Sequence, residues 1–257
     1  MGGESTTRTA PRSGGASRGP AGSRTGQRLS GLAVALGLVL FLGGFVWGAV
    51  IYRPYTVPTS SMAPTIGAGA RVLAQRVDGG EIRRGDVVVF TDKTWVTNAP
   101  VVKRVVAVGG DTVASTGGKL TVNGKQIDEP YLADDGLAAL QNFPTVTVPK
   151  DRLFLLGDER SGSLDSTAHL TDAAKGTVAR SAVSARVEAV VWPMNGMLER
   201  PTGFEQLGAL SPQGPLRTMV VLIVGGGVLV LGGGAYGPVA NRLGKRSRTG
   251  VEPAGAR

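Results

Sequence analysis

Cysteine is absent from the 257 residues, so a disulfide framework, a thiolate nucleophile and a cysteine metal site are all excluded. Histidine is nearly absent. His169 is the only one, and a histidine-based metal cluster is therefore excluded as well. Acidic residues are few, 19 Asp and Glu against 28 Lys and Arg, for a formal net charge of +9. Such a surplus first suggests nucleic acid or an anionic membrane, and its location decides between them. Residues 1–30 carry Arg8, Arg12, Arg18, Arg24 and Arg28 against Glu4. Residues 241–257 carry Arg242, Lys245, Arg246, Arg248 and Arg257 against Glu252. The tails hold +4 each and the middle is close to neutral. No basic stripe with interleaved aromatics is left for nucleic acid.

Charge is missing altogether from two long stretches. Gly31–Ile51 runs 21 residues without an ionisable side chain, long enough to cross about 30 Å of hydrocarbon as a helix. A cleaved secretory signal is the alternative. Against it, the run exceeds the usual apolar length of roughly 7–15 residues and no small-x-small cut site follows. Thr218–Ala240 is the second stretch. Its glycines and Pro238 weaken it as a helix in water, but such residues are common in spanning helices and allow close helix–helix approach. Both runs are flanked on their outer sides by basic tails, so the positive-inside rule places both tails in the cytoplasm. The expected organisation is a disordered basic cytoplasmic tail over 1–30, a transmembrane helix over 31–51 and an extracytoplasmic domain over 52–210. A second transmembrane helix over 218–240 and a basic cytoplasmic tail over 241–257 follow.

Between the spans no long 3.6-residue periodicity occurs. Short β-branched or apolar runs do: Val72-Leu73-Ala74, Val87–Phe90, Val101–Val108, Leu153–Leu156 and Ser184–Trp192. Gly-Asp, Gly-Gly and Asn-Gly signals bound them, and Pro193 ends the last. Lys119–Ile127 reads as a hairpin with Asn123-Gly124 as its two-residue turn. The fold class expected is mainly β.

Three segments carry the candidate chemistry. In Pro58-Thr59-Ser60-Ser61-Met62-Ala63-Pro64-Thr65 two prolines stiffen a run of hydroxyls, although alone it could be a Ser/Thr-rich linker. A serine nucleophile needs a base. His169 lies in a polar stretch and reads as a surface residue. A neutral lysine can serve instead, and burial in an apolar setting favours the neutral form. Lys103 stands inside the apolar strand Val101–Val108. Alternation gives its face Val101, Val105 and Ala107. An edge lysine whose head reaches water reads equally well from the strand alone. The third segment, Leu155–Ser166, runs from an apolar strand into a turn crowded with hydroxyls and carboxylates. Alone it could be a solvated loop or a weak cation site.

Together these segments resemble the type I signal peptidases. Pro58–Thr65 resembles the family's P-S-x-S-M-x-P-T segment, and Gly85-Asp86-Val87-Val88 its G-D-[VI]-[VI] strand. Lys103–Asp111 resembles its K-R-[VI]-x-x-x-x-G-D segment, and Gly157–Ser166 its G-D-N-x-x-x-S-x-D-S segment. The resemblance covers roughly residues 30–195. It implies a membrane-bound serine endopeptidase that cleaves signal peptides from secretory preproteins after small residues, at Ala-x-Ala-like sites. Ser61 would be the nucleophile and Lys103 the general base. The Thr59 hydroxyl and the Ser61 backbone N–H would be oxyanion donors, Ser163 would orient Lys103, and Asp158 and Asp165 would brace the site. The implied partners are preproteins and the lipid bilayer, with no nucleic acid, cofactor or metal. Three positions depart from the pattern: Thr59 stands for a serine, Glu159 for an asparagine, and Thr167 for the arginine expected to pair with Asp165. The short interval from Lys103 to Gly157 predicts no large inserted subdomain. Ser61 lies ten residues beyond Ile51, at most about 35 Å of extended chain, so the nucleophile is expected close to the outer membrane surface. Two other classes share some of these features: a cytosolic self-cleaving repressor with the same dyad, and a non-enzymatic membrane-anchored β module.

Overall fold

The computed structural model describes residues 22–97, 99–133 and 141–246. Residues 1–21 and 247–257, where most of the two tails was expected, lie outside the described residues. The chain divides into two units, one formed by Met1–Gly43 and Val221–Arg257 and the other by Gly44–Val220.

The first unit contains most of two helices. Helix α1 spans Gly22–Ile51 and α2 spans Leu216–Arg246. Each contains a stretch long and apolar enough to cross a membrane, Gly26–Ile51 and Leu216–Tyr236. Residues 22–30, assigned by composition to a disordered tail, are instead the first turns of α1. A helix once nucleated propagates through polar residues, because each added residue gains a hydrogen bond for little extra order. Likewise α2 begins before Thr218 and runs on through Arg246. Most of the apolar side chains point outward, among them Leu32, Leu36, Val224 and Leu231. The backbones meet where side chains are small. A Cβ on Gly37 would lie 2.7 Å from the Gly226 carbonyl oxygen, and one on Gly226 would lie 2.5 Å from the Phe41 nitrogen. The Ser30 hydroxyl donates to the Gly233 carbonyl at 2.7 Å. Contacts advance along α1 as they retreat along α2, so the helices run antiparallel.

The second unit is built on β-strands. They are β1 (Tyr52–Val57), β2 (Ala70–Arg76), β3 (Val87–Phe90), β4 (Val101–Val108), β5 (Thr112–Thr116) and β6 (Lys119–Val122). After these come β7 (Lys125–Gln126), β8 (Phe143–Thr147), β9 (Arg152–Leu156), β10 (Thr177–Ala179), β11 (Val183–Trp192) and β12 (Gly196–Met197). The larger sheet has the order β1-β2-β11-β3-β4-β9-β10, with β12 on β11. The smaller sheet has the order β7-β6-β5-β8, and all pairs are antiparallel. The interval from Lys103 to Gly157 thus holds a small four-stranded sheet. The hairpin at Asn123-Gly124 has both residues at positive φ, 52° and 74°, as a type I′ turn demands.

Three apolar clusters fill the unit. One gathers Val72, Val87, Val89 and Val102 with Val57, Met62 and Ile66. A second joins the smaller sheet, through Val113, Leu120 and Phe143, to Val106, Phe154 and Leu156. The third holds Val88, Phe90, Val105, Leu153 and Leu155. Lys103 pairs with Val88 and shares its face with Val101 and Val105, as alternation predicts. Ala107 does not stay on that face. The β4–β9 register shifts between Val105 and Ala107, and Ala107 joins Val106 in the second cluster. A bulge inserts one unpaired residue and so reverses the side on which later side chains fall.

Candidate active site

Ser61 follows the end of β1 by four residues. Its neighbour Met62 is fully buried, as is Ile66, and the two form an isolated β-bridge. The Ala63 N–H also donates to the Ser60 carbonyl at 2.8 Å. Burying Met62 fixes the segment and leaves the preceding hydroxyl half-exposed at the edge of a cleft. The Thr59 hydroxyl lies 3.2 Å from Ser61 Oγ. The Ser61 carbonyl accepts the Glu159 N–H at 3.2 Å.

Lys103 sits mid-strand in β4 and is 3% exposed, so the edge-lysine alternative is not what the fold adopts. Its Nζ donates to Ser163 Oγ at 2.9 Å. Among the described residues no salt bridge is made to Lys103, and its hydrogen bond is to Ser163 rather than to Ser61. Burial holds its ammonium below the ordinary lysine value of 10.5, while the charges of Asp165, Asp158 and Glu159 pull the other way. Burial wins because desolvation acts on the whole charge, whereas these carboxylates act without direct contact.

The two aspartates are occupied elsewhere. Asp158 receives a fork from Arg104, Nε at 2.8 Å and Nη2 at 2.6 Å, and both side chains are at most 2% exposed. Arg104 also donates to the Gly85 carbonyl at 3.0 Å and to Thr65 at 3.4 Å, and its guanidinium lies over the Tyr131 ring at 3.9 Å. Asp165 accepts the Gly157 N–H at 2.9 Å, the Thr167 N–H at 3.0 Å and the Thr167 hydroxyl at 2.8 Å. Thr167 therefore replaces the missing arginine with two neutral donors. Glu159 accepts a bond from the Ser161 hydroxyl. Gly157 is where the segments converge, since a Cβ there would overlap Ser163 Oγ and the Ser61 carbonyl.

His169 lies half-buried at the surface, its side chain 19% exposed. Its ring stacks on Trp95 and its Nδ1 lies 2.8 Å from Asp172. Sequence reading missed Arg104, Tyr131 and the Arg160–Glu129 pair at 2.7 Å. One signal was present. A Lys-Arg doublet inside an apolar strand puts the two cations on opposite faces, and a buried arginine requires a carboxylate partner.

A cleft of about 330 Å³ brings the pieces together. Tyr55–Ser61 forms one wall, Val101–Lys103 with Val89 another, and Gly162 and Leu164 approach from the third segment. Ser61, Thr59 and Lys103 all line it, whereas Ser163, Asp158 and Asp165 stand behind it. Among the described residues no group of three or more His, Asp and Glu could hold a metal ion. The arrangement offers a half-exposed hydroxyl, a buried amine biased toward neutrality and an apolar floor.

The chain matches the family model described as signal peptidase, peptidase S26, over residues 29–192. It is 33% identical over 175 residues to a signal peptidase I of Bacillus amyloliquefaciens, covering 65% of this chain and 84% of that protein. It is 33% identical over 226 residues to signal peptidase I of Mycobacterium tuberculosis (strain ATCC 25618 / H37Rv), covering 68% and 75%. A crystal structure of a signal peptidase I from Enterococcus faecalis V583 aligns at 25% identity and a TM-score of 0.33, covering 46% of this chain and 97% of that one. With its site geometry and this match over more than half its length, the chain belongs to the S26 family of signal peptidases.

Proposed function

We propose that this protein is a membrane-anchored endopeptidase that removes N-terminal signal peptides from exported preproteins. Neutral Lys103 takes the proton from Ser61 Oγ as that oxygen attacks the carbonyl after a small residue. Lys103 then gives the proton to the leaving amine, and the acyl group stays on Ser61. Water, deprotonated by the same amine, hydrolyses the ester and restores both residues. The Ser61 N–H and the Thr59 hydroxyl donate to the oxyanion. Ser163 holds Lys103 Nζ, Asp165 holds the Gly157 N–H, and Asp158 fixes Arg104 behind the site. Helices α1 and α2 hold the β unit at the outer membrane surface, where the cut site of a signal peptide emerges from the bilayer.

The observation that carries this reading is that Ser61 and a buried Lys103, with no salt-bridge partner among the described residues, line one apolar cleft. The test is incubation of the detergent-solubilised protein with a secretory precursor. The wild type should release the signal peptide and Ser61→Ala should not. Equal cleavage by both would remove Ser61 from the mechanism.

A further inference from the structure

Two loops reach the cleft. The loop between β3 and β4 contributes Val96, Ala99 and Pro100, and the loop between β9 and β10 contributes Gly162 and Leu164. Val96 is 43% exposed and Leu164 76%, so each loop brings an accessible apolar side chain to the cleft. The β4–β9 ladder joins the inner ends of the two loops but stops at Arg104 and Leu156, and the strands at their other ends, β3 and β10, do not pair. Strand pairing alone therefore leaves the gap between the outer parts of the loops, where Val96 and Leu164 lie, unspecified.

Side chains specify it. Trp95, beside Val96, lays its ring on that of His169, with centroids 4.6 Å apart and planes 11° from parallel. Each partner is braced from behind. The buried Phe90 meets Trp95 edge-on at 5.2 Å. His169 Nδ1 lies 2.8 Å from the Asp172 carboxylate, and the His169 N–H donates to the Ser166 carbonyl at 3.3 Å. Ser166 is fixed in turn, accepting the Leu155 N–H at 2.8 Å and donating to the Gly176 carbonyl at 2.7 Å. The line of contact runs from the core under β3, through the two rings, back to β9. Neither Trp95 nor His169 lines the cleft, so the pair acts on it only through the loops.

We propose that the Trp95–His169 stack is a clasp that fixes the spacing of the two loops, and that it thereby sets the bulk of the substrate side chain the cleft admits. Both residues are positioning residues for specificity, not catalytic ones. The stack is flat and apolar over most of its area, so its function requires a planar ring at position 169 rather than a base or a charge. This assignment rests on the reading of the cleft as the place where substrate binds.

The experiment compares two precursor peptides, identical except for Ala or Val as the residue whose carbonyl is attacked, on the full-length solubilised protein. The wild type should prefer Ala. His169→Ala should raise KM for the Ala peptide and narrow the preference by about fivefold or more, while kcat stays within about twofold. His169→Phe restores a planar ring and should restore the preference. An unchanged preference in His169→Ala, or a His169→Phe that behaves like His169→Ala, overturns the clasp. So does a lowered kcat and Tm with the preference intact, which would make the stack a brace for the fold alone. Equal cleavage by Ser61→Ala, or no cleavage of either peptide by the wild type, fails the proposed function itself and is thereby distinguished.

Discussion

An amine buried among valines is useful to a hydrolase only when it carries no proton, and Lys103 is held toward that form by its surroundings. A general base must be neutral, and Lys103 charges as pH falls through its pKa. Activity should therefore be lost on the acidic side along a limb that lies below 10.5. Lys103→Arg should be nearly inactive, because a guanidinium does not deprotonate in proteins. Glu159 sharpens the test. Its carboxylate favours the charged amine, and its amide, which holds the Ser61 carbonyl, is untouched by a side-chain change. Glu159→Gln should move the acidic limb of kcat/KM to lower pH. A limb that stays in place, or moves up, would remove Glu159 from the electrostatics of the base. Thr59 belongs to the same scale. Thr59→Ser keeps the hydroxyl and should lose little. Thr59→Val keeps the shape and removes the donor, which should lower kcat by ~10²–10³ with a smaller change in KM. Near-normal kcat in Thr59→Val would leave the oxyanion to backbone amides alone.

At the scale of elements, most of the strands that were legible are those buried on the sheet interior, the Lys119–Ile127 hairpin being legible through its turn. Val87–Phe90, Val101–Val108, Leu153–Leu156 and Ser184–Trp192 are rich in apolar residues because neighbours flank them on both sides. The strands that escaped reading are mostly edges: β1 and β10 end the larger sheet and β8 ends the smaller. An edge strand tolerates the prolines that argue against a strand elsewhere, and Pro54 and Pro144 sit in β1 and β8. The segments that bring Ser61 and Lys103 to the cleft were legible because each is local. The Arg104–Asp158 and Arg160–Glu129 pairs were not, because their partners lie 54 and 31 residues apart and no spacing rule links them. Arg104 and Asp158 form the pair nearest the site. Asp158→Asn should cost about 3–5 kcal/mol of stability, since it leaves a buried guanidinium without its counter-charge. Denaturant unfolding of the solubilised protein measures this, and a loss below ~1 kcal/mol would mean that water or Tyr131 compensates Arg104.

At the scale of the whole molecule, the arrangement to be tested is two spans with both tails inside. Reporter fusions after Gln75 and after Arg257 should read outside and inside respectively. An outside reading at Arg257 would remove or reverse the second span. The helix pair can be probed separately, because the chain has no cysteine and any introduced thiol is alone. Ser30 and Gly233 touch across α1 and α2. A Ser30→Cys, Gly233→Cys variant should cross-link in oxidised membranes, whereas a control with one thiol moved to Gly43 should not. Failure of the first to cross-link would mean that the helices do not stay paired in lipid.

Gly157 makes a different kind of demand. Its φ is not among the positive ones, so backbone conformation does not require glycine there; the nearness of Ser163 and Ser61 does. Three stretches of sequence separated by dozens of residues meet over the space that one missing methyl leaves. Over evolutionary time that position cannot drift alone. Any lineage that acquires a side chain at 157 must also rebuild the turn at 163 and the path of the chain at 61. These segments are therefore expected to be inherited as a block, with variation appearing first at places such as 59, 159 and 167, where the geometry leaves room for a substitute.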